Sequence, residues 1–441
     1  MDSTSISWDI VSVVNTMGKF KSFLSSQYQI VSMVFVSVLA RILLSVNGGK
    51  SLFDSGQDAP TYEQAALDFS QYGWFSSKIF SLPYWPAGYP YFLSFFIELS
   101  SNHWQLLVVL FQHSLFILSV LILSQSLIGL VGKKISTLAA SILLFIPAFL
   151  YAPSENMYEP LLTSFIMLGV ACALRLSSSS STNFGLLVLG MVICFGSANF
   201  IQAKTAPIGL ISIFIALWHK KGTAVIVSLM SLWGSGLLIL RSWIAYSILS
   251  PSTNFGKAIQ AGGLDIDCQL RTGQLATGAK LEALVDSHYT SCAFEYFLSH
   301  PINFLEHILT QARALYGPLD GGGIPSSSTW IHGLQFRRFA ELSDQLSTQQ
   351  INAIVWLGAI VLNCIIVFGF YASLRFYDIK QVALISSPIM FISIIQFISH
   401  GDSRYRLPFL PFQIIFLLLG LFGIQAKFGE WISKKQKSAE K

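Results

Sequence analysis

Runs of roughly 18–25 consecutive apolar residues recur along this 441-residue chain, and they constrain it more than any single motif. Wound as an α-helix, such a run crosses the ~30 Å of bilayer hydrocarbon. No water there can satisfy a backbone amide, so only helices and closed barrels span it. Unbroken apolar runs, rather than alternating ones, choose helices. The residues are 53% hydrophobic and 11% charged, far from the balance of soluble domains. The expectation is an all-α polytopic membrane protein with about ten transmembrane helices. The spans are placed near 29–46, 104–131, 135–152, 157–176, 184–200, 204–218, 223–249, 353–374, 381–399 and 407–426. Segment 89–99 is apolar but too short to cross, and reads as a juxtamembrane or re-entrant helix.

Charge orients these spans. With the N-terminus inside, the inner segments hold Lys19, Lys21, Lys133, Lys134, Arg175, Lys220, Lys221, Arg375, Lys380 and the basic tail from Lys427 to Lys441, as the positive-inside rule requires. Of 22 acidic residues, all but Asp2, Asp9, Asp378, Glu430 and Glu440 then fall outside. The net charge of +5 therefore reflects a basic inner face drawn to anionic lipid, and no nucleic-acid partner is expected. Residues 1–28 lack a compact apolar core with a small-residue cleavage site, so the first span is expected to serve as its own insertion signal.

The expected organisation is an inner tail at 1–28, a bundle at 29–249 that includes a first outer loop at 47–103 with juxtamembrane helices, a mostly helical outer segment at 250–352, closing spans at 353–426, and a basic inner tail at 427–441. Cys172, Cys194 and Cys364 fall in expected spans, whereas Cys268 and Cys292 fall in the large outer segment, on the side where disulfides persist. Spacing alone does not fix disulfide geometry, so a Cys268–Cys292 bridge and two unpaired thiols both stand. No paired CxxC and no HExxH is present, and neither a metal nor another cofactor is expected.

Chemistry-bearing residues gather at one expected membrane face. Asp54 and Asp58 follow the first span; a carboxylate there can act as a general base, or Asp58 can simply cap a helix beginning at Ala59-Pro60. Glu155 and Glu159 precede an apolar run, where an acid either meets a helix N-terminus favourably or serves a site. Lys204 lies in a short loop on the outer side, against the positive-inside bias; it either binds a phosphate or snorkels to headgroups. Arg404 and Arg406 flank Tyr405 before the last span, and paired arginines suit bidentate phosphate binding. Arg241 lies late in a span, where it pairs with an acid or lines a cavity. Tyr84, Trp85 and Tyr89 either stack on a sugar or belong to an interfacial aromatic belt.

In order along the chain, QDAPTYEQAA, PAGYPYFLSFF, MYEPLL, AKTAPIGLI, RSWIAYSILSPSTNFG, SHPINFLEH and SRYRLPFLPF resemble motifs of the C-type membrane glycosyltransferase superfamily. The branch resembled includes the protein O-mannosyltransferases and the lipid A aminoarabinose transferase. The resemblance implies a polyprenyl-phosphate sugar donor, transfer on the outer face to a glycan, lipid or protein acceptor, and inversion at the anomeric carbon. It also implies Asp58 as base with Asp54 as second candidate, Glu159 as supporting acid, and Lys204, Arg404 and Arg406 with Tyr405 around the donor phosphate. Tyr62, Tyr84, Trp85, Tyr89, Glu155 and Arg241 would line the substrate. Lys204 stands where many members have Arg, and Arg241-Ser242-Trp243 replaces an Arg-Asn-Tyr pattern. The bacterial-type segments imply a bacterial inner membrane with its site on the periplasmic side. A transporter or flippase of a lipid-linked sugar is the alternative; it would more often carry broken helices and charges near the midplane.

Overall fold

The computed structural model describes residues 32, 34–39, 58–80, 85–146, 149–150, 152–154, 156–178, 183–252, 255, 258–259, 279–316, 348–399 and 403–422, with side chains described at these positions except 279–285, 348–356 and 403–404. All regular structure among them is helical. In chain order the helices are α1 (Ala59–Tyr72), α2 (Gly88–Leu99), α3 (Trp104–Phe145), α4 (Glu159–Ser177), α5 (Phe184–Ile201), α6 (Ala206–Ala216), α7 (Lys221–Ser231), α8 (Trp233–Tyr246), α9 (Ala279–Ser299), α10 (Pro301–Tyr316), α11 (Thr348–Phe376), α12 (Ile379–Ile398) and α13 (Leu410–Phe422). Short 3-10 turns occupy Ala152–Ser154, Ala203–Thr205 and Ser403–Arg406.

The chain is an integral, multi-pass membrane protein, but the expected ten spans are corrected. Among the described residues five helices are long and apolar enough to cross a bilayer: Trp104–Phe145, Glu159–Ser177, Phe184–Ile201, Leu357–Phe376 and Ile379–Ile398. A sixth arises if α7 and α8, bent by 41° at their break, form one span. The physical reason is that an apolar run need not become one straight helix. The run 204–218 splits into a 3-10 turn and the short α6, and 407–426 yields the short α13. The expected span 29–46 lies mostly outside the described residues, although 34–39 are helical and Ser37 Oγ donates to the Leu144 carbonyl at 3.0 Å.

Helix α3 itself has two limbs. Gly132 takes φ 80° and ψ 161°, a backbone state that favours glycine. Ser124 Oγ lies 2.9 Å from Ser136 Oγ, whereas a straight helix would part them by about 18 Å. The chain doubles back there, and the second limb, residues 133–145, rises only about 20 Å.

Helix α4 is the central span, buried along nearly its whole length from Glu159 to Leu174. Lipid offers no hydrophobic drive between spans, so close packing at small residues joins them. A Cβ on Gly369 would fall 1.8 Å from the Phe416 carbonyl oxygen, and one on Gly420 would fall 2.4 Å from that of Ile365. These two glycines therefore let α11 and α13 cross at backbone contact. At the other end of the molecule a Cβ on Gly88 would fall 1.9 Å from the Phe200 carbonyl oxygen. That contact seats the start of α2 on the end of α5 and brings α1 and α2 to the mouth of the bundle.

Candidate functional site

Four chain segments meet at this mouth. Pro60 stands in the first turn of α1, where its fixed φ suits a helix start and its missing N–H costs nothing. Asp58 holds the N-cap position. Its carbonyl accepts the amides of Thr61 and Tyr62 at 3.1 and 3.2 Å, yet its side chain makes no capping hydrogen bond. Capping therefore does not account for the carboxylate. One turn on, buried Tyr62 meets Tyr89, Trp85 and Tyr158 edge-on, with ring centroids 5.3, 5.9 and 6.3 Å away. Edge-to-face packing of this kind adds about 0.5–1.5 kcal/mol per pair.

The segment before α4 is tied to α1 by Asn156. Its Nδ2 donates to the Glu63 carboxylate at 3.0 Å and to the Ala59 carbonyl at 3.4 Å. Glu159, only 2% exposed, begins α4 with Pro160 behind it, so its carboxylate lies in the first turn, at the positive end of the helix dipole.

The third segment is the 3-10 turn Ala203–Thr205. Thr205 Oγ1 donates to the Gln202 carbonyl at 2.8 Å and to Asn199 Oδ1 at 3.2 Å, and Asn199 Nδ2 donates to the Ser231 carbonyl at 3.0 Å. This network fixes the turn that carries Lys204. Lys204 Nζ lies 5.0 Å from the ring centroid of Tyr405, in the fourth segment, Ser403–Arg406.

These side chains enclose one cavity with a water-accessible volume of about 20 Å³. Glu159, Lys204 and Tyr405 line it together with Tyr158, Gln202, Thr205 and, from α12, Gln396; Leu162, Ile392 and Ile395 form its apolar wall. A carboxylate, an ammonium and amides facing one small apolar-walled space can hold an anion while steering a proton. Low polarity strengthens each interaction relative to water. Among the described residues no group of three or more His, Cys, Asp or Glu side chains is arranged to hold a metal.

Three of the residues singled out from sequence, Glu159, Lys204 and Tyr405, thus come together, and Tyr62 adjoins them through Tyr158. Two others lie elsewhere. Arg241 is buried beneath the loop after α1, where Nε donates to the Trp74 carbonyl at 2.9 Å and Nη2 to the Ser76 carbonyl at 3.1 Å. The rings of Phe69, Tyr246 and Trp74 flank its guanidinium at 5.1, 5.3 and 5.6 Å. Arg406 turns away from the cavity, over the Tyr316 ring at 5.6 Å and towards Gln413. Burial lowers its pKa, with the Tyr316 phenol acting in the opposite sense, and a guanidinium remains cationic nonetheless. Asp54, Tyr84, Glu155 and Cys268 lie outside the described residues, and of Arg404 only the backbone is described. Cys292 is disulfide-bonded, whereas Cys172, Cys194 and Cys364 are free.

The sequence reading missed Asn156, Tyr158, Gln202 and Gln396. A glutamine inside an apolar spanning run was a readable signal, because an amide is costly in hydrocarbon unless something uses it. Asn156 had no such signal, since its partners come from α1, far away in sequence.

No protein-family model matches the chain, and no curated protein does. Among solved structures it is similar to the archaeal oligosaccharyltransferase AglB from Archaeoglobus fulgidus in complex with an inhibitory peptide and a dolichol-phosphate. That match has 14% identity over 93% of this chain and 52% of that one, with a TM-score of 0.47. A second structure, the Archaeoglobus fulgidus oligosaccharyltransferase tethered to an acceptor peptide, has 13% identity over 92% and 50%, with a TM-score of 0.48. ArnT from Cupriavidus metallidurans in the apo state has 12% identity over 90% and 77%, with a TM-score of 0.40. The chain spans about half the length of the two archaeal proteins.

Proposed function

We propose that this chain is a membrane glycosyltransferase that moves a sugar from a polyprenyl-phosphate donor to an acceptor hydroxyl or amine at the outer membrane face. One observation carries the reading: Glu159, Lys204 and Tyr405, from three segments distant in sequence, line a single cavity whose Tyr158 wall packs on Tyr62 of α1. Asp58 is the base of this scheme. It takes the acceptor proton as the acceptor attacks the anomeric carbon, with inversion. The C–O bond to the polyprenyl phosphate breaks, and the electron pair leaves with the phosphate. Lys204, with Arg404 from the neighbouring turn, meets that growing charge, and Glu159 orients the ammonium. Fixed cations aimed at developing charge are worth more in an apolar site than in water. The motifs around Asp58, Glu159 and Tyr405, and their resemblance to C-type transferases, support the same assignment.

The test measures turnover of a panel of radiolabelled polyprenyl-phosphate sugars by purified protein, with a membrane extract as acceptor source. Label should leave one donor. Asp58→Asn should lower turnover about 10²–10⁴-fold, and Lys204→Gln should lower kcat by about 10²–10³-fold. Turnover by Asp58→Asn at the natural rate would remove Asp58 as base. Donor binding with no turnover, together with movement of the intact donor across vesicles, would favour a flippase instead.

A further inference from the structure

Helix α10 carries three stripes, each with the spacing that aligns side chains along one helix face. Phe304, His307, Gln311 and Leu315 are buried or half-buried against the protein. Asn303, Glu306 and Thr310 are exposed and polar. Between these two faces run Ile302, Leu305 and Leu309, exposed by 71%, 56% and 59%. A helix in water would have no use for an exposed apolar stripe beside a polar one. A helix lying along a bilayer surface needs both, one towards lipid and one towards water.

The packing partners of α10 set its depth. His307 Nε2 donates to the carbonyl of Ile398, at the end of α12. At the other end of α10 the Tyr316 hydroxyl pairs with Ser393 of α12, and its carbonyl accepts Asn363 Nδ2 of α11 at 3.3 Å. Ser393 lies five residues back from Ile398, about 8 Å inside the end of α12 at 1.5 Å per residue. Helix α10 therefore slopes from the end of one span into the level of two spans. Near Asn363, α11 exposes Leu357, Ile360 and Val361 by half or more, so the spanning helix that Tyr316 touches itself presents an apolar face outward.

We infer that α10 is an interfacial membrane helix, inclined into the bilayer, whose Ile302–Leu305–Leu309 stripe is embedded in the lipid acyl chains of the leaflet on the site's side. Tyr316, at its deep end, lies beneath the Arg406 guanidinium and at a tilt to the Phe409 ring, so this helix also braces the turn that carries Tyr405. The lipid contact of α10 is independent of the proposed reaction.

The experiment places nitroxide side chains singly on α10 in full-length protein reconstituted into phosphatidylethanolamine–phosphatidylglycerol vesicles. Cys172, Cys194 and Cys364 are replaced by alanine. Labels at 302, 305 and 309 should be relaxed by oxygen several-fold more than by a water-soluble nickel chelate, most at 309. Labels at 303, 306 and 310 should show the reverse. Nickel access at 305 and 309 equal to that at 306 and 310 would overturn the inference, as would shielding from both relaxers, which would mean a protein partner or a second copy. If the alanine background fails to accumulate, benzoylphenylalanine at 309 in the otherwise natural chain tests the same contact by photocrosslinking. A phospholipid adduct supports the inference, and a protein adduct or none overturns it.

Discussion

Asn156 matters at the scale of single residues because it joins two acidic motifs that are far apart in the chain. Both of its amide hydrogens are used, on Ala59 and Glu63, and the residue is fully buried. Asn156→Asp would remove both donors and set a second carboxylate against Glu63. The expected cost is about 1–3 kcal/mol, read as a lower thermal midpoint in detergent, and Glu63→Gln in the same chain should recover part of it. An unchanged midpoint in Asn156→Asp would show that the tie does not bear on stability.

His307 couples stability to pH. Burial lowers its pKa, and the hydrogen bond to the Ile398 carbonyl acts the other way. The folded chain thus favours the neutral ring, while the unfolded chain binds a proton near pH 6.5. Stability from this group is complete above about pH 6.5 and is lost as pH falls through that value towards the lower folded pKa. The thermal midpoint should therefore drop on acidification through this window, and His307→Gln should flatten that part of the profile. A profile that His307→Gln leaves unaltered would rule the histidine out.

At the scale of elements, glycine contacts decide whether helices meet. Gly88→Ala puts a methyl group into the Phe200 carbonyl. Overpacking of this kind costs about 1–3 kcal/mol and should tilt α2 off α5, loosening the aromatic hub around Tyr62. Gly369→Leu should separate α11 from α13 and sharply reduce monodisperse protein on size exclusion; an unchanged elution profile would contradict the close crossing. Helix starts were legible in the sequence at Pro60 and Pro160, where an acid precedes the proline. The number of spans was not. The break between the expected spans 104–131 and 135–152 does coincide with the reversal at Gly132, but hydropathy measures apolar length, whereas the bend between α7 and α8 and the shortness of α6 and α13 are matters of backbone direction.

Across the whole molecule one covalent link ties separate parts of the chain. Cys292 is disulfide-bonded and three other cysteines are free. We propose Cys268 as its partner, because both belong to the large segment between α8 and α11. Alkylation with and without reductant should differ at these two positions only, and loss of the bridge should cost about 3 kcal/mol. Equal labelling in both conditions would reject the pairing.

The sequence alone determined the solvent of this chain and the placing of most of its charged residues beyond the apolar runs. Long apolar runs can be satisfied only in a bilayer, and charges avoid its interior, so carboxylates and cations were pushed to the ends of helices. Only the tertiary structure decided which of those charged residues share a cavity. Glu159, Lys204 and Tyr405 meet because the start of α4, the Ala203–Thr205 turn and the Ser403–Arg406 turn converge, while Arg241 and Arg406, equally conspicuous in sequence, are turned onto carbonyls and aromatic rings. Side-chain direction depends on how helices rotate about their own axes when they pack, and packing is a property of neighbours that no local run of residues contains.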